Sequence, residues 1–255
     1  MRKYARLAVV VLLALAGAGA ISLFSLYRAS RHVPVFYERA LAVQPEAQKA
    51  AGQKFEQEAL SLHNQVRQPG RWEARFTQDE INGWLAADLP VKFPQALPKG
   101  ASDPRMALSA GQVQLAVRYE RGATKTVVSL SGQVQLTQEP NELAVRIDGV
   151  RAGALPLPLA EFRDEIAERA AKAGVPIRWT EAEGVPVALV RLPLDPREFG
   201  GRRLVVEELR LTEGELFVAG RTELPPDAPQ PAPGEPVDSG EPIRAAAPEP
   251  ETRQR

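Results

Sequence analysis

Residues 112–148 read QVQLAVRYERGATKTVVSLSGQVQLTQEPNELAVRID, and this stretch decides the fold class. In its first ten residues Val113, Leu115, Val117 and Tyr119 alternate with Gln112, Gln114, Arg118 and Glu120. Successive side chains of a strand point to opposite faces, so a period of two gives one apolar and one polar face. RGAT then turns the chain. The next run sets Val128, Leu130, Val134 and Leu136 against Ser129, Ser131, Gln133, Gln135 and Thr137. Gly132 falls inside it, where a bulge or bend suits a residue without a side chain. After EPN, Leu143, Val145 and Ile147 stand against Arg146 and Asp148. Three consecutive strands with one pattern predict an antiparallel meander covered on one side only, dry on one face and wet on the other.

The cover is predicted just upstream, in RFTQDEINGWLAADLP, residues 75–90. Thr77 and Glu80 have capping-box spacing, and Phe76 and Ile81 have the spacing of a hydrophobic staple. The helix that follows carries Ile81, Trp84, Leu85 and Leu89 on one stripe, and Pro90 helps end it. Its apolar face either plugs the core beneath the sheet or lines an unfilled groove there, and periodicity does not separate the two. Between helix and meander, residues 91–104 (VKFPQALPKGASDP) are proline-rich and read as a loop.

Downstream, VRAGALPLPLAEF leaves the sheet and opens a helix over about Leu159 to Ala173, with Phe162, Ile166 and Ala170 facing inward. Gly174 is placed for a C-terminal cap, followed by Pro176. The acidic residues Glu161, Asp164, Glu165 and Glu168 are interleaved with basic ones and read as a solvated face rather than a metal site. Four further strands follow: PIRWTEA, VPVALVRLPL, RRLVVEELRL and ELFVAGRTE. Glu213-Gly214 joins the last two as a hairpin.

The flanks have different compositions. Leu7 to Tyr27 is uncharged and preceded by Arg2, Lys3 and Arg6. At about 1.5 Å per residue it reaches roughly one hydrocarbon thickness. The basic residues set an anchor with its N-terminus in the cytoplasm. The competing reading is a signal peptide cut after Ala18-Gly19-Ala20, but the apolar run continues through Leu26 and is long for that role. Residues 34–70 are predicted as a helical stalk: a short piece over VPVFYERALAV, then a second helix opening at Pro45. That second helix carries Phe55, Ala59, Leu62 and Val66 at helical spacing. The stalk is expected to pack this narrow stripe on the globular domain; the stripe is too short for the alternative, a coiled coil of three heptads. Residues 225–255 hold nine prolines and little apolar surface. Such a segment cannot bury enough to offset its ordering entropy and reads as disordered.

The chain has 255 residues, with 32 basic and 32 acidic side chains and no cysteine. Nothing in that balance points to nucleic acid as a partner. Disulfides and thiolate chemistry are excluded. Two histidines, His32 and His63, leave little from which to build a zinc site or a Ser-His-Asp triad. No glycine-rich phosphate loop precedes a helix, and no Gly-x-Ser-x-Gly elbow exists. The sequence predicts no cofactor and no catalytic residues.

The order of elements resembles a family. An N-terminal anchor leads to FTQDEINGWLAADL; a meander follows, then GALPLPLAEF, and the hairpin LVVEELRLTEGELFVAG closes the domain. This is similar to YpmS-like membrane-anchored bacterial proteins and, more distantly, to tubular lipid-binding (TULIP-like) domains, over roughly residues 76–222. The resemblance implies an α+β fold in which a curved antiparallel sheet packs on two helices and can hold an apolar chain. It implies no catalytic residues. The expected organisation is a membrane anchor at 1–33, a stalk at 34–70, an α+β domain at 71–224 and a disordered tail at 225–255. The bulk of the chain is then extracytoplasmic, held at the cell membrane by one N-terminal span. The candidate groove residues are Ile81, Trp84, Leu85, Leu89, Val117, Tyr119, Leu130, Phe162 and Ile166. The expected function is non-enzymatic binding or shuttling of a lipid or other apolar ligand. An envelope scaffolding or protein-interaction module is the alternative, and a hydrolase the third.

Overall fold

The computed structural model describes residues 28–94, 96–122, 124–161, 163–172 and 174–224. The N-terminal apolar run, the proline-rich tail and Phe162 lie outside the described residues. The fold is α+β, with a large antiparallel sheet and several helices. Helices α1 (Val35–Leu41) and α2 (Pro45–Val66) come first, then strand β1 (Gly70–Thr77), α3 (Gln78–Ala87) and a single turn, α4 (Leu89–Lys92). The meander is β2 (Ala101–Ser109), β3 (Gln112–Arg121), β4 (Thr124–Leu136) and β5 (Glu142–Ala152). A short β6 (Leu155–Leu157) and α5 (Arg163–Lys172) follow, then β7 (Ile177–Ala182), β8 (Val185–Arg191), β9 (Arg203–Thr212) and β10 (Glu215–Glu223).

The strands form two sheets rather than one. The larger has the order β2-β3-β4-β5-β8-β7, with β6 beside β5; the smaller is β1-β10-β9. Every pairing is antiparallel. The sequence reading missed two strands. In β1, Trp72, Ala74 and Phe76 are buried and alternate with exposed Arg71, Glu73 and Arg75, a period-two signal between the stalk and the Thr77 cap. β2 begins inside the predicted proline-rich loop. It tolerates Pro104 because it is an edge strand and its register shifts between Ser102 and Arg105, the two settings in which a strand accepts proline.

The main core joins both sheets to α2 and α3. Buried Ala74 and Phe76 of β1, Ile81 of α3 and Leu108 of β2 pack with Phe55, Ala59 and Leu62 of α2 and with Leu85. The stripe predicted for the stalk is therefore part of the domain's interior. Val66 at its end is buried with Trp72 and Leu204. The described residues up to Leu224 belong to one compact unit, with no break at residue 70. Helix α5, expected as the second helix under the sheet, lies beside β7, where Trp179 Nε1 donates to the Arg163 carbonyl at 3.2 Å.

Two asparagines close open sheet edges. On β2, the Asn82 amide donates to Met106 O at 2.9 Å and accepts from Met106 N at 2.8 Å. Gln78 Oε1 takes Leu108 N at 2.8 Å. On β9, Asn141 donates to Leu204 O at 2.7 Å and accepts from Val206 N at 2.8 Å. An amide matches the donor and acceptor of a strand, so each side chain stands in for a missing neighbour and blunts the edge. Asn141 sits at φ 59°, a conformation asparagine tolerates better than most residues.

Candidate functional groove

The meander's two faces are used differently from the simple dry-and-wet expectation. Helix α1 lies on the polar face: Tyr37, almost completely buried, packs on Ala116 and Val127. Its hydroxyl donates to Asp103 O at 2.9 Å. Burial, and secondarily the Asp103 carboxylate, holds the Tyr37 phenol above its ordinary pKa. Arg105, buried beside it, donates to Pro104 O at 2.7 Å, and its Nε has no protein partner. Burial lowers the Arg105 pKa from its usual value.

The apolar face of the meander is only partly filled. Its register aligns Leu115 with Leu130, Val117 with Val128 and Tyr119 with Thr126. Beyond β4 the register shifts between Ser131 and Gly132, so Val128 and Leu130 face Ala152 and Val150. None of these apolar side chains is fully buried, and Leu115 is 41% exposed. Val117, Tyr119, Val128, Leu130, Val150 and Ala152 floor an open groove of ≈ 1720 Å³. One wall is the Leu89–Asp103 segment, with Phe93, Pro94, Leu97 and Pro98; the other carries Leu157 of β6 and Ile166 of α5. Polar groups gather at one end: Lys99, Glu120, Arg121, Thr124 and Thr126. Glu120 is paired with Lys125 at 3.3 Å, and Asp103 with Arg118 at 3.0 Å.

The nine candidate residues divide. Leu89, Val117, Tyr119, Leu130 and Ile166 line the groove. Ile81, Trp84 and Leu85 do not. Ile81 is buried in the core, with Leu85 packed against it. The Trp84 ring lies 5.5 Å from Phe55 and 6.0 Å from Phe93, and its Nε1 donates to Glu56 Oε1 at 3.2 Å. The reason is α2, which occupies the side of α3 from which the Trp84 stripe would have lined a groove. Glu56 also receives the Lys92 ammonium, whose hydrogen bond holds the Glu56 carboxyl below its usual range. Phe162 lies outside the described residues. Sequence reasoning named Val128 on the apolar face without placing it at the site. It missed Val150 and Ala152 because the bulge shifts the alternation after Ile147. Loop residues Phe93 to Pro98 had no periodicity by which to be found.

A second, smaller cavity of ≈ 790 Å³ lies between α1, α2, the start of α3 and β2. The α3 N-terminus there is already satisfied: Glu80 N donates to Thr77 Oγ1 at 3.2 Å and Thr77 N to Glu80 Oε2 at 2.9 Å. Among the described residues no group of His, Cys, Asp and Glu is placed to hold a metal ion. Among them, too, no helix is long and apolar enough to cross a membrane. No family model, curated protein or solved structure matches this chain.

Proposed function

We propose that this chain is a membrane-tethered, extracytoplasmic domain that binds or shuttles a lipid or other apolar ligand without chemical conversion. The observation that carries the reading is the groove. At ≈ 1720 Å³ it exceeds the roughly 300–1,000 Å³ of pockets for compact small molecules. Its floor is aliphatic and its polar groups sit at one end, the arrangement that suits a ligand with a long apolar body and a polar head. Water in such a groove makes poor contacts, so transfer of acyl chains into it is favourable at about 25 cal/mol per Å² of apolar surface covered.

The finer architecture belongs to this reading: a curved, TULIP-like sheet carried on helices and joined to a single N-terminal span at Leu7–Tyr27. Bulges support it, since register shifts at Ser102/Arg105 and at Ser131/Gly132 bend the strands that floor the groove. The test is native mass spectrometry of the full-length protein extracted in mild detergent, followed by titration with a fluorescent fatty-acid probe. The reading requires co-purifying lipid or saturable probe binding. A chain that carries no lipid and binds no probe is not a lipid carrier, and a stable protein partner in the same preparation would favour the scaffolding function.

A further inference from the structure

Where the groove opens relative to the membrane is a separate question, and two observations at one end of the large sheet bear on it. Ala101, Tyr119 and Thr126 form a row across β2, β3 and β4. At the β2 side of this row the Val91–Lys99 loop arrives, and Gly100 O accepts from Glu120 N at 2.8 Å. At the β4 side, Thr126 Oγ1 donates to Ser30 O at 2.6 Å, and Ala154 N donates to Ala29 O at 2.8 Å. Gly153 has no Cβ, and that lets the Ala29–Ser30 backbone lie against it. The chain is thus fastened to the sheet only two residues after the uncharged run ends at Tyr27. Two residues span at most about 7 Å, and neighbouring strands are about 4.8 Å apart. A bilayer crossed by that run lies within a short distance of both Ser30 and the loop.

The loop has the character of a surface meant for lipid. Val91 is 77% exposed and Phe93 54%. Lone exposed apolar residues are ordinary, but these two are next-but-one neighbours on a segment that also forms the groove wall. Beside them, Lys99 and Arg121 line the groove mouth without an ion-pair partner among the described residues. Apolar tips flanked by unpaired cations match the boundary between acyl chains and anionic headgroups. We infer that Val91–Lys99 is a membrane-docking loop that holds the mouth of the groove against the anionic headgroups of the bilayer in which the chain is anchored. A ligand then passes between bilayer and groove without crossing open water. The inference rests on the anchored reading above.

The absence of cysteine allows a clean test on the full chain. Val91→Cys, Phe93→Cys and, as a control, Gln138→Cys are each labelled with an environment-sensitive dye and reconstituted into vesicles. Gln138 is exposed in the β4–β5 turn, at the other end of β4 and so about 40 Å away. Lipids with a nitroxide on the upper acyl chain serve as quenchers, in phosphatidylcholine with and without phosphatidylglycerol. The expected result is a blue shift and loss of emission at 91 and 93, unchanged emission at 138, and stronger quenching with phosphatidylglycerol. Lys99→Glu with Arg121→Glu should remove that last gain. Chains that float with the vesicles but show equal, weak quenching at all three sites would overturn the docking loop and leave the anchor standing. Chains that do not float would overturn both. Lipid or probe binding, measured separately, decides the groove's function whichever way the loop behaves.

Discussion

Trp84 and Val128 show how apolar side chains with similar sequence signals come to serve different ends. Trp84 is held by Phe55, Phe93 and the Glu56 carboxylate, so its ring is structural. A fully buried tryptophan cut to alanine costs about 3–5 kcal/mol, and for this half-buried ring about 2–3 kcal/mol is expected. Probe binding by Trp84→Ala should stay close to wild type. Val128 faces open space in the groove, so Val128→Trp should fill it, weakening fatty-acid probe binding with little change in stability. Chemical denaturation and probe titration on the same preparations check both. Tyr37 gives a prediction in pH. Its folded pKa is raised, so the folded state holds the phenolic proton more tightly than the unfolded chain does. That contribution is complete below the unfolded value of about 10 and is lost as pH rises through the folded value. Stability should therefore fall from about pH 10 upward, and Tyr37→Phe, less stable at neutral pH, should lose less across the same range; urea midpoints measured from pH 8 to 11 test this.

The elements owe their placement to close approaches that admit almost no variation. Helices α2 and α3 touch through glycines. A Cβ on Gly83 would run into Gln48 O and lie 2.5 Å from Gly52 N, both backbone atoms. Gly83→Val should force the helices apart and cost about 1–3 kcal/mol, the range for overpacking a well-filled contact, seen as a lower denaturant midpoint. On the small sheet, Phe217 points to the outer side yet is buried, because Arg75 and Arg210 cover its ring at 4.8 and 4.9 Å. Glu215 pairs with Arg75 and Glu208 with Arg210, so the aromatic is sealed by charged side chains whose apolar stems lie along it. That solution keeps a large hydrophobe off the surface without a further layer of structure.

For the molecule as a whole, the compact unit runs to Leu224. Truncation after Leu224 should leave the melting temperature unchanged to within a few degrees, since a loss of 1 kcal/mol in a domain of this size shifts it by about 2–4 °C. A larger fall in calorimetry would show that residues 225–255 contribute to the packed unit. The two halves of the groove come from distant parts of the chain: its floor from β3 to β5, its walls from Leu89–Asp103 and from Leu157 and Ile166. A ligand that bridges them should stabilise the domain by mass action, giving a melting temperature that rises with fatty-acid concentration.

Several features of this protein are local, and the sequence by itself determined them. The capping box at Thr77 and Glu80, the proline opening α2, the turn at Glu213-Gly214 and the alternation of β3 and β4 each depend on residues a few positions apart. The glycine at 132 even marks its bulge. Tertiary structure alone decided which apolar face would be filled. Ile81, Trp84 and Leu85 have the same helical signal whether they plug a core or line a groove, and only the arrival of α2 put Ile81 and Leu85 in the core and Trp84 against Phe55 and Glu56. The meander's dry face was written plainly in residues 113–136, yet whether any element would cover it depended on where α5 and the 91–104 loop came to rest. The division into two sheets was equally hidden, because pairing β1 with β10 joins residues roughly 140 positions apart, and alternation records which way a side chain points but not which strand lies beside it.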